Sequence, residues 1–309
     1  MKKHKIAIIG SGPAGYTAAT YTSRAMIDTT VFAGRLPGGL LTRTSTVENF
    51  PGFPEGIEGF DLMSAMQEQA EKFGAAVEYD EVVSIEFNNS GKHLLTLSTG
   101  NVFEADAVIL ALGSSPRKLG IPVEEKFRCK GVSSCATCDG AFFKGTPVVV
   151  AGGGDSAMEE AVYLTRFASH VHIVHRRESF RASAVMVERA KNTPNITFHL
   201  NCTIKDICGN ERVEKVIISN HNTGEDEEIV CSGIFCALGH TPNTQIVEGK
   251  IPLDQDKCII TDHPHTSTAI PGVFAAGDCA DPFYRQAITA AGSGCRAAMD
   301  AVRYLENAD

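Results

Sequence analysis

The chain has 309 residues, 43% of them hydrophobic and 21% charged, with a formal net charge of -9 and an isoelectric point near 5.6. At roughly 100–200 residues per domain that length implies two domains, and the apolar share is enough for two cores. An acidic chain without a basic run is a poor fit to nucleic acid or an anionic membrane surface, and no apolar run nears the ~20 residues of a membrane span.

The first residues, M-K-K-H-K, are basic, but the apolar stretch behind them runs only from Ile6 to Ile9 before Gly10. That is short for a secretory leader, so the expected location is the cytoplasm. The segment K-I-A-I-I, Gly10-Ser11-Gly12-Pro13-Ala14-Gly15 and an alanine-rich stretch to Met26 reads as strand, glycine turn, helix. In such a G-x-G-x-x-G fingerprint the first Gly makes the tight turn and the second lets backbone approach a pyrophosphate. The third position must be small, for helix–strand packing. Residues 105–113, A-D-A-V-I-L-A-L-G, read as a short buried strand ending in Gly.

A second fingerprint follows T-P-V-V-V-A: Gly152-Gly153-Gly154-Asp155-Ser156-Ala157, then a helical run. Residues 232–239, S-G-I-F-C-A-L-G, close that half as 105–113 close the first. Residues 94–97 and 212–230 alternate apolar and polar, as antiparallel hairpins do. Thr241-Pro242-Asn243 is a turn signal, and residues 271–278 form another buried strand ending in an acid. The simplest arrangement is α/β: two Rossmann-like dinucleotide-binding domains, the second inserted into the first. One domain spans 1–115 and resumes over 245–309; the other spans 116–244.

A typical Rossmann unit carries an acid at the end of its second strand for the adenosine ribose. In the second unit that place holds His175, Arg176 and Arg177, with Arg181 just beyond. Guanidinium groups match phosphate bidentately, so this half is expected to take a 2′-phosphate and hence NADPH. The first unit has V-F-A-Gly34 there, with neither acid nor Arg.

Among 10 cysteines only Cys135-Ala-Thr-Cys138 has suggestive spacing. A C-x-x-C near βαβ units reads as a dithiol–disulfide switch. A structural zinc site would need a second close pair, and none exists, so no metal is expected. Asp139 beside the pair is the natural proton handler for a leaving thiolate.

Taken together, G-S-G-P-A-G-Y-T-A-A, V-E-N-F-P-G-F at 47–53, C-A-T-C-D-G, G-G-G-D-S-A-M-E-E-A, H-R-R-E-S-F-R-A, G-V-F-A-A-G-D and Y-R-Q-A-I-T-A-A-G-S-G at 284–294 resemble the low-molecular-weight, two-domain thioredoxin reductases over essentially the whole chain. The resemblance implies FAD in the outer domain. Gly10, Ser11, Gly12, Pro13, Ala14 and Gly15 would cradle its pyrophosphate, with Gly34, Gly39, Leu40, Leu41, Val82 and Gly113 as further contacts. Asn49 would reach it from a loop, Asp278 would bond the ribityl chain, and Arg285, Gln286 and Ala287 would bring backbone amides to the isoalloxazine. NADPH would lie on Gly154, Asp155, Ser156, His175, Arg176, Arg177, Arg181 and Gly239. Cys138 would be the flavin-facing sulfur and Cys135 the one that attacks thioredoxin. The family is typically homodimeric. Nicotinamide and disulfide would take turns at one flavin face through a rotation of the inserted domain.

Leu40 stands where the family usually has Gln, Arg43 interrupts a run of threonines, and Cys279 follows Asp278. The alternative functions are a related flavoprotein dithiol oxidase, against which the Arg cluster argues, and a reductase of another thioredoxin-fold partner.

Overall fold

A computed structural model describes residues 5–44, 46–89 and 92–307. The chain forms two compact units, Met1–Ser115 with Thr241–Asp309, and Pro116–His240. The second crossing thus falls earlier than the 244/245 boundary expected from sequence. The reason is local: the Asn243 amide donates to Gly113 O, its Nδ2 to Leu112 O, and Thr244 Oγ1 to Lys257 O. These bonds bind the turn residues to the first unit.

The first unit is built on a five-stranded parallel sheet in the order Val273–Ala275, Ala107–Leu110, Lys5–Ile9, Asp28–Phe32, Ala76–Glu78. Its strands are apolar on both faces because both are covered. Ile6, Ile8, Val31 and Ile109 pack on one side, Ala7, Ile9, Phe32 and Leu110 on the other. Burying each Ile or Leu is worth about 1.5–3 kcal/mol. That outweighs an exposed ion pair such as Arg35–Glu81, which contributes about 0–1 kcal/mol.

The helices Pro13–Arg24 and Ala287–Glu306 cover the first of those faces and pack on each other. A three-stranded antiparallel sheet, Val82–Glu86, His93–Leu97 and Val102–Ala105, completes the unit.

The second unit repeats the plan. Its parallel sheet runs Val132–Ser133, Gly233–Cys236, Pro147–Ala151, His170–His175, Ile196–Leu200. Val149 and Ala151 face an antiparallel sheet of Cys202–Cys208, Lys215–Asn220 and Asp226–Val230; Val148 and Val150 face the helix Asp155–Leu164. Among the described residues no helix is long and apolar enough to cross a membrane.

The helix pair of the first unit depends on one small residue. A Cβ at Gly294 would lie 2.1 Å from Ala14 O, whereas one at Gly292, on the same helix, would meet nothing within 4 Å. Gly294→Ala is therefore expected to cost at least ~1–3 kcal/mol through overpacking. Gly292→Ala is expected to be neutral or to stabilise by up to ~1 kcal/mol through helix propensity. Thermal unfolding of both variants checks this; equal midpoints would show that the helices do not need the close approach.

Candidate active site

In the first unit the strand Lys5–Ile9 ends at Gly10 and the helix begins at Pro13. A Cβ on Gly10 would sit 2.2 Å from Ala111 O, and one on Gly15 would sit 2.0 Å from Gly10 O. Glycine at both places lets the helix close down on the turn. Gly12, the residue before the helix, differs: a Cβ there would meet nothing within 4 Å. Nor does any side chain cap this helix. Uncapped N-terminal amides facing open space are a ready anion site.

The second fingerprint has the same geometry. A Cβ at Gly152 would meet Ala237 O at 2.4 Å and the Cβ of Ala157 at 2.8 Å, so the third position must indeed be small. Gly154 faces open space and also leads into a helix without a side-chain cap.

Several expected FAD residues surround the first turn. Gly39 lies against Gly12, where its Cβ would fall 3.2 Å from Gly12 Cα. Ser11 is buried, and its hydroxyl serves the scaffold: it accepts from Gly38 N at 2.9 Å and donates to Ala33 O at 3.3 Å. Leu40 and Leu41 lie on the short helix Gly39–Arg43, with Leu40 38% exposed. Gly34 donates its amide to Asp80 O. Val82 is buried in the antiparallel sheet opposite Leu97.

Asn49 Nδ2 donates to Gln286 Oε1 at 3.2 Å, joining the loop to the start of the Ala287–Glu306 helix. Gln286 caps that helix in a reciprocal box with Thr289. Arg285 stands at φ 48° with its Nε buried and without a hydrogen-bond partner among the described residues. Asp278 accepts from Ser114 Oγ at 2.9 Å; burial pushes its carboxyl up, and that hydroxyl opposes the shift. The open space at Gly12, the uncapped helix and the unpartnered Arg285 Nε fit a large polyanionic, hydrogen-bonding ligand.

In the second unit Asp155 Oδ1 accepts from the Ser183 amide at 2.7 Å and its hydroxyl at 3.0 Å. The amides of Arg181 and Ala182 both donate to Gly153 O. These bonds hold the 176–183 loop beside the glycine turn and Ser156. Arg176, Arg177 and Arg181 are exposed, and none has a carboxylate partner among the described residues. His175 behaves differently from these arginines. It is buried, stacks on Phe180, and its ring fills the place a Cβ on Gly153 would take. Its Nε2 lies 3.1 Å from Ser179 O, and burial pushes its pKa down. Its observed contacts shape the turn.

The redox pair leaves the same sheet edge. The parallel register Ser133↔Phe235 and Ala151↔Cys236 brings the ends of three strands level. From that edge emerge the Cys135 turn, Gly152–Gly154 and Gly239. Cys135 and Cys138 form a disulfide across the one-turn helix Ala136–Asp139. The Cys138 amide donates to Cys135 Sγ at 3.2 Å, and Thr137 Oγ1 lies 3.3 Å from that sulfur. Ser133 Oγ accepts from the Cys135 amide at 3.0 Å. Burial pushes the Asp139 carboxyl above its ordinary range, partly opposed by a hydrogen bond from Ser133.

Four buried thiols are poor rivals. Cys231, Cys236 and Cys279 are buried and pushed up to about 12, and Cys258 to about 11. Cys279 donates to two backbone carbonyls, Leu110 O and Ala276 O.

Sequence reasoning missed Glu160. It lies three residues after Ala157 on its helix, its Oε2 is buried without a hydrogen-bond partner among the described residues, and burial pushes it to about 7. The second acid of E-E, in phase with Ala157, Ala161 and Leu164, was the available signal.

Residues 4–294 match the model of the pyridine nucleotide-disulphide oxidoreductase family. The chain is 51% identical over 301 residues to a thioredoxin reductase of Streptomyces clavuligerus, covering 97% of this chain and 93% of that one. The chain belongs to the thioredoxin reductase family. A Mycolicibacterium smegmatis member is 48% identical over 307 residues, covering 99% and 98%. Solved family members include thioredoxin reductases from Giardia duodenalis, at 42% identity and a TM-score of 0.93, and from Streptococcus pyogenes, at 39% and 0.93. Each alignment spans 99% of this chain and 100% of the other. Family membership brings FAD with NADPH as electron donor.

The exposed arginines give a direct expectation. Each charged hydrogen bond lost should cost about 1.5–3 kcal/mol. Replacing Arg176 and Arg177 by Ala should then raise KM for NADPH at least about tenfold, with KM for NADH, FAD content and unfolding midpoint nearly unchanged. Steady-state kinetics with both cofactors checks it; an equal effect on NADPH and NADH would remove the 2′-phosphate role.

Proposed function

We propose that this chain is an NADPH-dependent thioredoxin-disulfide reductase, acting as a homodimer in the cytoplasm. The observation that carries the reading is the shared sheet edge: the Cys135–Cys138 disulfide and the Gly152–Gly154 fingerprint with its unpaired arginines emerge together from one unit. FAD bound in the other unit supplies the two-electron link between NADPH and the disulfide.

The residues of the chain divide the remaining work. Gly12 and Gly154 leave room for pyrophosphate at uncapped helix N-termini, whose amides favour the anion. Arg176, Arg177 and Arg181 select the phosphorylated ribose. Once the disulfide is open, the Cys138 amide stabilises negative charge on Cys135 Sγ, which makes Cys135 the nucleophile toward thioredoxin. Cys135 thiolate attacks the thioredoxin disulfide and forms a mixed disulfide, expelling one thioredoxin thiolate. Asp139, held toward its protonated form by burial, gives that thiolate its proton. Cys138 then attacks the mixed disulfide, releases the second thioredoxin sulfur and restores the Cys135–Cys138 bond.

The assay is NADPH oxidation with thioredoxin, read beside flavin absorbance. Cys135→Ser and Cys138→Ser should each abolish thioredoxin-dependent turnover yet keep NADPH-driven loss of flavin absorbance. Thioredoxin turnover by either variant at the parent rate would sink the proposal, as would a parent protein that oxidises NADPH with oxygen alone and ignores thioredoxin.

A further inference from the structure

The face of the second sheet that carries Val149 and Val174 also carries a row of histidines at its outer strands. On the strand His170–His175, His170 and His172 alternate onto this face, and the neighbouring strand brings Thr197 and His199 beside them. His172 Nδ1 and His199 Nε2 face each other at 3.1 Å, with ring centroids 5.3 Å apart. The other nitrogen of His199, Nδ1, faces Glu227 Oε2 at 3.7 Å, from the antiparallel sheet. His170 is engaged elsewhere, its Nε2 lying 2.8 Å from Thr197 Oγ1. Cys202 is close by but donates to Leu200 O.

We propose that His172 Nδ1 and His199 Nε2 are the protein ligands of a transition-metal site for Zn2+ or a similar borderline-soft divalent cation. Zinc–imidazole bonds of about 2.0–2.1 Å at a tetrahedral angle place two nitrogens about 3.3 Å apart. The observed separation is within a few tenths of an ångström of that. Glu227 biases the ring toward the useful tautomer: its carboxylate, 3.7 Å from His199 Nδ1 and beyond hydrogen-bond reach, favours a proton there and leaves Nε2 with its lone pair outward. Closed by a few tenths of an ångström, the pair becomes the carboxylate–histidine–metal arrangement, in which the outer carboxylate orients the ligand and raises its basicity. In the metal-free state the His172 Nδ1 proton fills the gap. Binding needs only that this proton move to His172 Nε2, so no charge is released from either neutral ring.

Among the described residues no third His, Cys, Asp or Glu converges on the point. Water therefore completes the coordination, and the ion exchanges with solvent. It would pin the edge strand Ile196–Leu200 to its neighbour immediately before Arg177 O accepts from Asn201 N.

The test uses FAD-loaded protein with the Cys135–Cys138 disulfide oxidised, so that the dithiol cannot compete. ZnCl2 is titrated calorimetrically at neutral pH against the parent, His172→Gln, His199→Gln, Glu227→Gln and the remote control His221→Gln. The expected result is one Zn2+ per chain, with loss of binding in both ligand variants and weakening by about tenfold or more in Glu227→Gln. His221→Gln should match the parent. Zinc-soaked crystals of the unaltered protein give a second reading that no variant's misfolding can confuse: an anomalous peak between the two nitrogens. Absence of binding, binding that survives both ligand substitutions, or an anomalous peak confined to other side chains would overturn the proposal and leave a hydrogen-bonded pair that serves packing.

Discussion

Each unit is organised by the close approach of the residue that ends a strand to the first turn of the helix that follows. A Cβ at Gly15 would overlap Gly10 O at 2.0 Å, and one at Gly152 would lie 2.8 Å from the Cβ of Ala157. Only a helix drawn down this far presents its free amides at the carboxyl edge of the sheet. Neither helix has a side-chain cap, because its N-cap residue is glycine, Gly12 or Gly154. A hydroxyl or carboxylate there would fill the space that the proposed phosphate sites require. The Ala287–Glu306 helix shows the contrast: its Gln286–Thr289 box satisfies its first turn from within.

The duplication then divides two tasks. Each unit couples a five-stranded parallel sheet to a three-stranded antiparallel sheet, and in each the glycine just before the fingerprint helix, Gly12 or Gly154, faces open space. The second unit differs by what its sheet edge carries besides the fingerprint: an arginine-rich loop held by Asp155–Ser183, and a disulfide on a one-turn helix. Charge chemistry follows from burial. The buried thiols Cys231 and Cys236 are pushed up to about 12, whereas the Cys135 sulfur receives a backbone amide, which favours the thiolate once the disulfide is open.

Much of this was legible in the chain. Buried parallel strands are near-continuous apolar runs, and glycine turns stand out where such runs stop. The Cys pair needed only its spacing. What the sequence could not show was where side chains turn. His175 stands where the sequence led us to expect a ribose contact but folds inward against Gly153 and Phe180, because a ring there fills the gap that the missing Cβ leaves. Ser11 sits inside the fingerprint, yet its hydroxyl ties Gly38 to Ala33. The second unit boundary depended on hydrogen bonds from Asn243 and Thr244 that no composition shift marks. The pairing of His172 with His199 is a matter of strand register, which links residues far apart in the chain.

The central claim is that the open spaces over Gly12 and Gly154 are ligand space, one per dinucleotide. Both residues have negative φ, so a larger side chain strains neither backbone. The most direct measurement is a crossed one: FAD stoichiometry and NADPH affinity of Gly12→Val and Gly154→Val, with circular dichroism as the check on folding. The account predicts that Gly12→Val folds but loses FAD, and that Gly154→Val keeps FAD and loses NADPH. Variants that fold and keep both ligands at parent affinity, or that each lose the other one, would contradict it.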